Sequence, residues 1–194
     1  MQKKKMSVIT VVYNDRENIE ETIKSVITQD YSNIEYVVID GGSTDGTYEI
    51  ILKYKDYISY CCSEEDEGIY DAMNKALEVI SGEIILFLNS GDVFFDNSVV
   101  SDMLGCMGFD TVAIIGGVLY DTGISVRSSI TPKTFIHNTV HHQSAFYRAD
   151  LFGSFRFNKI YNIAAVYELN LLLYKNYSSR VMCVDRIVSK CSDD

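Results

Sequence analysis

Hydrophobic and polar residues in the first half of the chain form short apolar runs separated by amphipathic stretches. Four short runs predict strands, at 8–12, 34–39, 57–62 and 84–88, and the first, second and fourth are the mainly apolar runs typical of buried strands. The stretches between them carry apolar residues at helical spacing and predict helices at 19–27, 47–55 and 69–80. Asn14 and Asp15 are candidate caps for the first of these helices. Strands that alternate with single helices favour a mostly parallel sheet flanked by helices, so the predicted fold class is α/β.

The second half of the chain is less regular. It predicts strands at 111–120, 124–130 and 181–188, and a helix at 164–174. The first of these strands is interrupted by the pair Gly116-Gly117. Because no linker, repeat or low-complexity tract separates the halves, we predict one domain over residues 1–194, with its regular half ending near residue 110.

Polar clusters follow three of the predicted strands, at 10–15, 40–45 and 89–92. The carboxyl ends of parallel strands meet at one edge of the sheet, and ligands bind beyond that edge, so we expect a binding site there. The second cluster has two interpretations that can coexist. Ser43, Thr44 or Asp45 caps the next helix in a tight turn, and Asp40, at the strand end, contacts a ligand.

The third cluster, Asn89-Ser90-Gly91-Asp92, places one carboxylate beside small residues. Mg²⁺-type sites commonly use only one or two protein carboxylates together with phosphate oxygens and water, so Asp92 is chemically sufficient as a metal ligand. An Asx-type turn is the equally weighted alternative. Neither GxGxxG nor GxxxxGK[ST] occurs in the chain, so the fingerprints of dinucleotide and P-loop sites are missing.

Composition and charge narrow the class of protein. The 194 residues are 47% hydrophobic and 23% charged, as in ordinary soluble proteins, and no apolar run approaches the ~20 residues that span a bilayer. With a net charge of −10, the protein lacks the broad basic surface of a nucleic-acid binder. Five cysteines without a CxxC pair favour reduced thiols in the cytoplasm over disulfides or zinc. Lys3, Lys4 and Lys5 leave open a peripheral contact with the inner face of the membrane, although a solvated terminus is favoured.

Four segments together resemble glycosyltransferase family 2, which has the GT-A type of fold. They are Ser7–Asn14 (SVITVVYN), Val38–Thr47 (VIDGGSTDGT), Asp66–Ala76 (DEGIYDAMNKA) and Gly82–Asp92 (GEIILFLNSGD). The third and fourth look like the bacterial branch that builds surface polysaccharides. The resemblance runs from Ser7 to about Val188 and is weaker after Asp110. It implies inverting transfer of a sugar from a nucleotide-sugar donor, with UDP expected, to a glycan or lipid-linked acceptor.

The resemblance also assigns roles to residues of the nucleotide-sugar half. It implies that Thr10, Tyr13 and Asn14 line the nucleoside pocket, that Asp40 hydrogen-bonds the base, and that Ser43 or Asp45 lies nearby. Asp71 and Lys75, one helical turn apart, are expected to pair and to reach donor groups. Asp92 is the expected ligand of Mn²⁺ or Mg²⁺, and Asn89 with Ser90 in the same turn is the expected ribose or donor contact. The cation would neutralise the departing diphosphate.

The half from residue 111 onward is expected to bind the acceptor. His142-Gln143 resembles a His-Gln pair of this branch, which implies a structural or acceptor-side role for His142. An ordinary histidine pKa near ~6.5 would also permit proton transfer. His137, His141 and His142 make a poor metal cluster, because adjacent residues of an extended segment point to opposite faces.

The chain departs from the family pattern at two places. Relatives usually carry an Asp, the expected general base, where this chain has Val166. Glu168 is a candidate replacement, although it lies about 200° away around a helix. The C-terminal helices of relatives are also expected to be missing, because the sequence ends at Asp194. The alternative function is therefore a catalytically impaired module that binds a sugar nucleotide.

Overall fold

The structure is a computed structural model that describes residues 3–136, 138–161 and 164–192. The strands are β1 (Met6–Val12), β2 (Ile34–Asp40), β3 (Tyr60–Ser63), β4 (Ile84–Phe87), β5 (Val93–Phe94), β6 (Ala113–Tyr120), β7 (Ser125–Arg127), β8 (Ala145–Arg148) and β9 (Val181–Cys191). The α-helices are α1 (Ile19–Ile27), α2 (Thr47–Lys53), α3 (Ile69–Val79), α4 (Val99–Cys106) and α5 (Ala165–Tyr177). Short 3-10 turns lie at Pro132–Phe135, His142–Ser144, Ala149–Phe152 and Ser178–Arg180. None of these described helices is long and apolar enough to cross a membrane.

The described strands form one sheet in the order β3-β2-β1-β4-β8-β6-β9-β5, with β7 paired to β6. The first four strands in this order are parallel, as the sequence predicted. In the second half, β8 is antiparallel to both β4 and β6, β5 is antiparallel to β9, and β9 is parallel to β6. The α/β class is therefore confirmed, and each of these antiparallel pairs includes at least one strand from the half that the sequence left irregular.

Two apolar layers hold the helices against the sheet. Successive strand residues point to opposite faces, so Val8 and Ile9 of β1 belong to different layers. Helices α3 and α5 cover the face of Ile9, and α1, α2 and α4 cover the face of Val8. This packing leaves the carboxyl ends of β1, β2 and β4 together at one edge, where the predicted site lies.

A buried carboxylate fixes the opposite edge of the sheet. Glu35 is 8% exposed and accepts hydrogen bonds from Lys5 Nζ (2.6 Å), Ser7 Oγ (2.6 Å) and the backbone and hydroxyl of Ser81 (2.7 and 2.6 Å). Burial raises the pKa of Glu35, but these hydrogen bonds outweigh burial and lower it to about 2. The network ties the starts of β1 and β2 to the turn before β4.

Some predicted local features differ in the structure. Helix α1 begins after Asn18 without a side-chain cap, so neither Asn14 nor Asp15 caps it. The Asp45 carboxylate does bind the start of α2, because it accepts the N–H of Thr47, the first residue of that helix, at 3.0 Å. Strand β6 continues through Gly116, where a Cβ would overlap the Arg186 carbonyl of β9. The glycine therefore permits a close approach of two strands instead of ending one.

Candidate active site

A cavity of about 320 Å³ opens between the carboxyl ends of β1 and β4. We call it the β1–β4 cavity. Its lining residues come from the end of β1, the start of α3 and the turn after β4; they are Val11, Val12, Tyr13, Asp15, Asp66, Gly68, Ile69, Ala72, Asn89 and Ser90. Apolar side chains thus meet carboxylates and an amide at the edge that the sequence pattern indicated.

A second cavity, of about 410 Å³, lies between α1 and the end of β9 and shares two lining residues with the first. The shared residues, Asp15 and Ser90, form the partition, since Ser90 Oγ donates to Asp15 Oδ2 at 2.6 Å. Asn18 Nδ2 donates to the other carboxylate oxygen of Asp15 at 2.7 Å. Sequence reasoning considered Asp15 only as a helix cap, although its position in the first polar cluster was the available signal.

The three residues expected in the nucleoside pocket have different surroundings. Tyr13 is 64% exposed and lines the β1–β4 cavity, as expected. Thr10 is fully buried, and its hydroxyl donates to the Leu88 carbonyl at 2.7 Å, so its side chain is used inside the sheet and not in the pocket. Asn14 has a φ of 49°, a left-handed conformation that Asn tolerates, and its Oδ1 accepts the N–H of Thr44 at 2.8 Å. Asn14 therefore holds the loop after β2.

Asp40 organises that same loop. Its carboxylate is fully buried and accepts the Ser43 N–H at 3.1 Å and the hydroxyls of Ser43 and Ser63. Asp40 and Asp92 follow strands whose carboxyl ends meet at one edge of the sheet, but neither residue lines the β1–β4 cavity. A contact between Asp40 and a nucleobase stays a prediction. The carboxylate of Asp66, which sequence reasoning did not single out, lies so near Gly41 that an added Cβ would be 2.5 Å from its Oδ2.

Asp71 and Lys75 form the predicted i,i+4 pair, with their charged atoms 3.6 Å apart. Both have further partners. Lys75 Nζ lies 3.0 Å from Glu64 Oε1, and Lys159 Nζ lies 3.0 Å from Asp71 Oδ1 and 2.7 Å from Glu67 Oε2. The two residues therefore link α3 to the loop before it and to the segment before α5. Their contact with a donor stays a prediction.

Helix α3 holds this second segment through two other motif residues that sequence reasoning left without a role. Asn74 pairs with the backbone of Phe157, donating to its carbonyl at 2.8 Å and accepting its N–H at 2.9 Å. The Tyr70 ring stacks on Phe157 at 5.6 Å, and its hydroxyl is hydrogen-bonded to the backbone of Ala165 and Val166. Because Ile69 and Ala72 line the β1–β4 cavity, α3 connects the cavity to the first turn of α5.

Asp92 is 8% exposed, and burial raises its pKa to about 6. The neighbouring Cys191 thiol opposes this rise in the pKa of Asp92 with a smaller effect. No group of three or more His, Cys, Asp or Glu side chains in the described ranges is arranged to hold a metal ion. A buried carboxylate of this kind suits a hard divalent cation that takes its other ligands from phosphate and water, so the chemistry of Asp92 fits Mn²⁺ or Mg²⁺.

The histidines do not converge on one ligand. His142 Nε2 lies 3.1 Å from Asn89 Nδ2, whereas His141 Nδ1 lies 3.3 Å from the Tyr120 hydroxyl. His137 lies outside the described residues. Burial, with a smaller effect of His141, lowers the pKa of His142 to about 4. His142 is therefore neutral at pH 7 and is engaged with Asn89, which argues against the proton transfer that the sequence permitted.

The first turn of α5 provides no carboxylate at position 166. Val166 is buried in the apolar layer between the sheet and α5, whereas Glu168 is exposed. The two side chains point to different sides of the helix, so Glu168 does not take the place of residue 166. Its predicted catalytic role as a replacement base is not supported by this geometry.

Residues 7–168 match the family described as Glycosyl transferase family 2. The chain belongs to this family. Among its relatives, the uncharacterized glycosyltransferase Rv1514c of Mycobacterium tuberculosis is 32% identical over 159 residues, which are 75% of this chain and 59% of the relative. The Escherichia coli protein named UDP-Glc:alpha-D-GlcNAc-diphosphoundecaprenol beta-1,3-glucosyltransferase WfaP is 39% identical over 88 residues, 45% of this chain and 35% of the relative. The chain thus spans less than two thirds of the length of either relative.

Solved structures show the same fold at lower identity. TarS of S. aureus in complex with UDP has a TM-score of 0.81 and 22% identity, covering 97% of this chain and 60% of TarS. The mannosyltransferase PcManGT from Pyrobaculum calidifontis, in complex with GDP-Man and Mn²⁺, has a TM-score of 0.74 and 19% identity over 99% of this chain and 57% of PcManGT. The fold of this family 2 chain is therefore the GT-A type.

Proposed function

We propose that this chain transfers a sugar from a nucleotide-sugar donor, with UDP as the expected nucleotide, to a glycan or lipid-linked acceptor in polysaccharide biosynthesis. The observation that carries the proposal is the β1–β4 cavity at the carboxyl edge, whose lining includes Asn89 and Ser90 of the turn that carries Asp92. Two similar proteins support this choice of substrates. TarS forms a complex with UDP, and the name of WfaP gives a UDP-sugar donor and a lipid diphosphate acceptor.

The walls of the cavity suit the parts of a nucleotide. Tyr13 and Ile69 offer apolar surface for a base, and the Asp66 carboxylate can accept a hydrogen bond from a base N–H. The buried amide oxygen of Asn89 has no partner among the described residues and can accept one from a ribose hydroxyl. Tyr13 and Asn89, which the family resemblance implied, and Asp66, which lines the same cavity, are therefore the donor contacts that we propose.

Asp92 would hold the divalent cation. When bound, Mn²⁺ or Mg²⁺ supplies positive charge that neutralises the diphosphate leaving group. The Ser90 and Gly91 positions contribute small residues beside Asp92, which leaves space for phosphate oxygens at the turn. In the inverting reaction that we propose, an acceptor oxygen attacks the anomeric carbon as the bond to the diphosphate breaks, and the acceptor proton must go to a base.

A second candidate function follows from the lack of such a base on α5. Val166 is buried in the apolar layer, Glu168 points elsewhere, and His142 is neutral and engaged with Asn89. A positioned general base typically contributes 10²–10⁴-fold, so its loss would leave a slow enzyme or a module that only binds the sugar nucleotide.

Release of nucleoside diphosphate from a panel of sugar nucleotides, with Mn²⁺ or Mg²⁺ present, separates these functions. Metal-dependent release that increases with a polysaccharide or lipid-linked acceptor supports the transferase. Calorimetric binding of UDP without turnover supports the binding module, and a large gain from Val166→Asp would show that the rest of the site is intact. Absence of both binding and release would contradict both functions.

A further inference from the structure

Two consecutive residues of the 3-10 turn His142–Ser144 are connected to the two ends of the Asn89–Asp92 turn. His142 contacts Asn89 directly, and Gln143 is connected to Asp92 through Cys191. His142 Nε2 lies 3.1 Å from Asn89 Nδ2. Gln143 Nε2 donates to Cys191 Sγ at 3.2 Å, and Cys191 lies beside Asp92, because Val93 pairs with Lys190. The His-Gln pair, which the proposed function leaves without a role, is thus connected directly to the expected donor contact, Asn89, and through Cys191 to the expected metal ligand, Asp92.

The Asn89 amide turns its nitrogen, and not its oxygen, towards His142 Nε2. An amide nitrogen only donates, so Nε2 of the ring accepts and the ring proton belongs on Nδ1. The amide oxygen is then left buried and without a partner among the described residues. A buried carbonyl without a hydrogen bond is costly, and since Asn89 lines the β1–β4 cavity, a ligand donor is the partner that the site lacks.

The contact through Cys191 acts on Asp92 in a similar way. Gln143 directs its amide nitrogen to the sulfur, the Ser189 hydroxyl lies 3.5 Å from the same sulfur, and Asp92 is the neighbour of Cys191 across the β5–β9 pair. In the described part of the chain, four buried side-chain oxygens have no partner, and two of them belong to Asn89 and Gln143. Of these four residues only Asn89 lines the β1–β4 cavity, so its oxygen is the one that a ligand in this cavity would partner.

We propose that His142 and Gln143 are positioning residues for nucleotide binding. His142 orients the Asn89 amide so that its oxygen accepts a hydroxyl of the nucleoside sugar, and Gln143, acting through Cys191, orients the Asp92 carboxylate towards the cation. The proposal rests on the proposed function, because the ligand is the nucleotide of the donor. It requires no chemical step by either residue.

Calorimetry with UDP and with 2′,3′-dideoxy-UDP tests the role of His142. His142→Phe should weaken UDP binding by about tenfold, the effect of one hydrogen bond, and should leave the dideoxy nucleotide unaffected. His142→Gln, which keeps an acceptor, should retain most of the affinity for UDP. His141→Phe is the matched control, since its partner is Tyr120.

In an Asn89→Ala background, His142→Phe should cause no further loss of UDP affinity. Equal losses of affinity for both nucleotides, or additive losses in the double variant, would overturn the proposal.

Nitrogen-15 NMR of the free protein tests the same contact without a nucleotide. His142 should carry its proton on Nδ1, and the Nε2 resonance should shift in Asn89→Ala. A proton on Nε2 would overturn the orientation that we infer for Asn89. If the wild type shows the expected resonances but does not bind UDP, the proposed function fails and with it the nucleotide as the ligand, whereas the positioning of Asn89 by His142 stands.

Manganese binding in the presence of UDP, measured by electron paramagnetic resonance, tests Gln143. Gln143→Leu should weaken Mn²⁺ binding by about 10–100-fold, as is usual when an outer partner of a ligand is lost. Cys191→Ser, which keeps a donor to Asp92, should have a smaller effect, and Cys183→Ser at an exposed position of the same strand is the control. Unchanged Mn²⁺ affinity in Gln143→Leu would overturn this half of the proposal.

Discussion

Buried polar residues in this protein either hold the sheet together or face its carboxyl edge. Thr10, Glu35 and Asp40 are all buried, and each has hydrogen-bond partners within the fold. Asn89 and Asp92 differ, because one has a buried oxygen without a partner and the other has a pKa raised by burial. Burial alone therefore does not identify a site; Asn89 stands out because its unpartnered oxygen belongs to a residue that lines a cavity.

Replacement of Glu35 tests a structural member of this set. Glu35→Gln should lower the free energy of unfolding at neutral pH by about 3 kcal/mol or less, because the folded state holds the pKa near 2, below the 4.5 of an ordinary Glu. A group with a depressed pKa stabilises fully above its unfolded pKa. The difference between wild type and variant should therefore shrink as pH falls from about 4.5 towards 2.

Urea unfolding followed at pH 7 and at pH 3 measures the Glu35 effect. The exposed Glu49 provides the control, since Glu49→Gln should change the unfolding midpoint little at either pH. A Glu35→Gln variant as stable as wild type at pH 7 would contradict the network as a source of stability.

At the scale of elements, α3 lies between the cavity and α5. Ile69 and Ala72 face the cavity, while Tyr70 and Asn74 hold the segment that leads to α5. The segment Asp66–Ala76, which the family resemblance assigns to donor binding, thus also positions α5. This double use explains why a short helix carries so many polar residues.

Removal of the Asn74 amide should loosen the segment around Phe157. Asn74→Ala loses two backbone hydrogen bonds, 2.8 and 2.9 Å long, and should cost about 1–3 kcal/mol. Hydrogen exchange should speed up in 155–161 and in the first turn of α5, while UDP binding is retained. Asn33→Ala is the control, because Asn33 Nδ2 bonds the Lys3 carbonyl at the opposite edge. Equal exchange in 155–161 for both variants would contradict the role of Asn74.

Two glycines test the packing of β6 against β9. A Cβ at Gly116 would overlap the carbonyl of Arg186, so Gly116→Ala should destabilise the protein by about 1–3 kcal/mol. Gly105 in α4 has open space around its Cα, so Gly105→Ala should stabilise by about 0.4–1 kcal/mol. Thermal unfolding compares them, and a Gly116→Ala variant that melts with or above the wild type would contradict the close approach of these strands.

At the scale of the whole molecule, the sequence predicts the parallel half well because local pattern and tertiary position agree there. The apolar runs of β1, β2 and β4 are buried on both faces, so their signal is continuous. Strand β8 was not predicted, because its four residues become a strand only by pairing with β4 and β6, which are distant in sequence. Helix α4 and strand β5 were missed as well.

The site was predicted in part for the same reason. Tyr13, Asn89 and Asp92 lie at strand ends, where topology alone brings them to one edge. Thr10 was misplaced, because the pattern marks a polar residue in a strand but does not reveal that the Leu88 carbonyl is its partner. Such pairings depend on contacts between strands and are invisible in one sequence.

The central claim is that one edge of the sheet binds both the nucleotide and its cation. A crystal structure of the protein with UDP and Mn²⁺ tests it most directly, with Asp92→Asn as the comparison. The account predicts the base in the β1–β4 cavity beside Tyr13 and Mn²⁺ coordinated by Asp92, with the metal lost in the variant. A nucleotide bound away from this cavity, or Mn²⁺ held equally by Asp92→Asn, would contradict it.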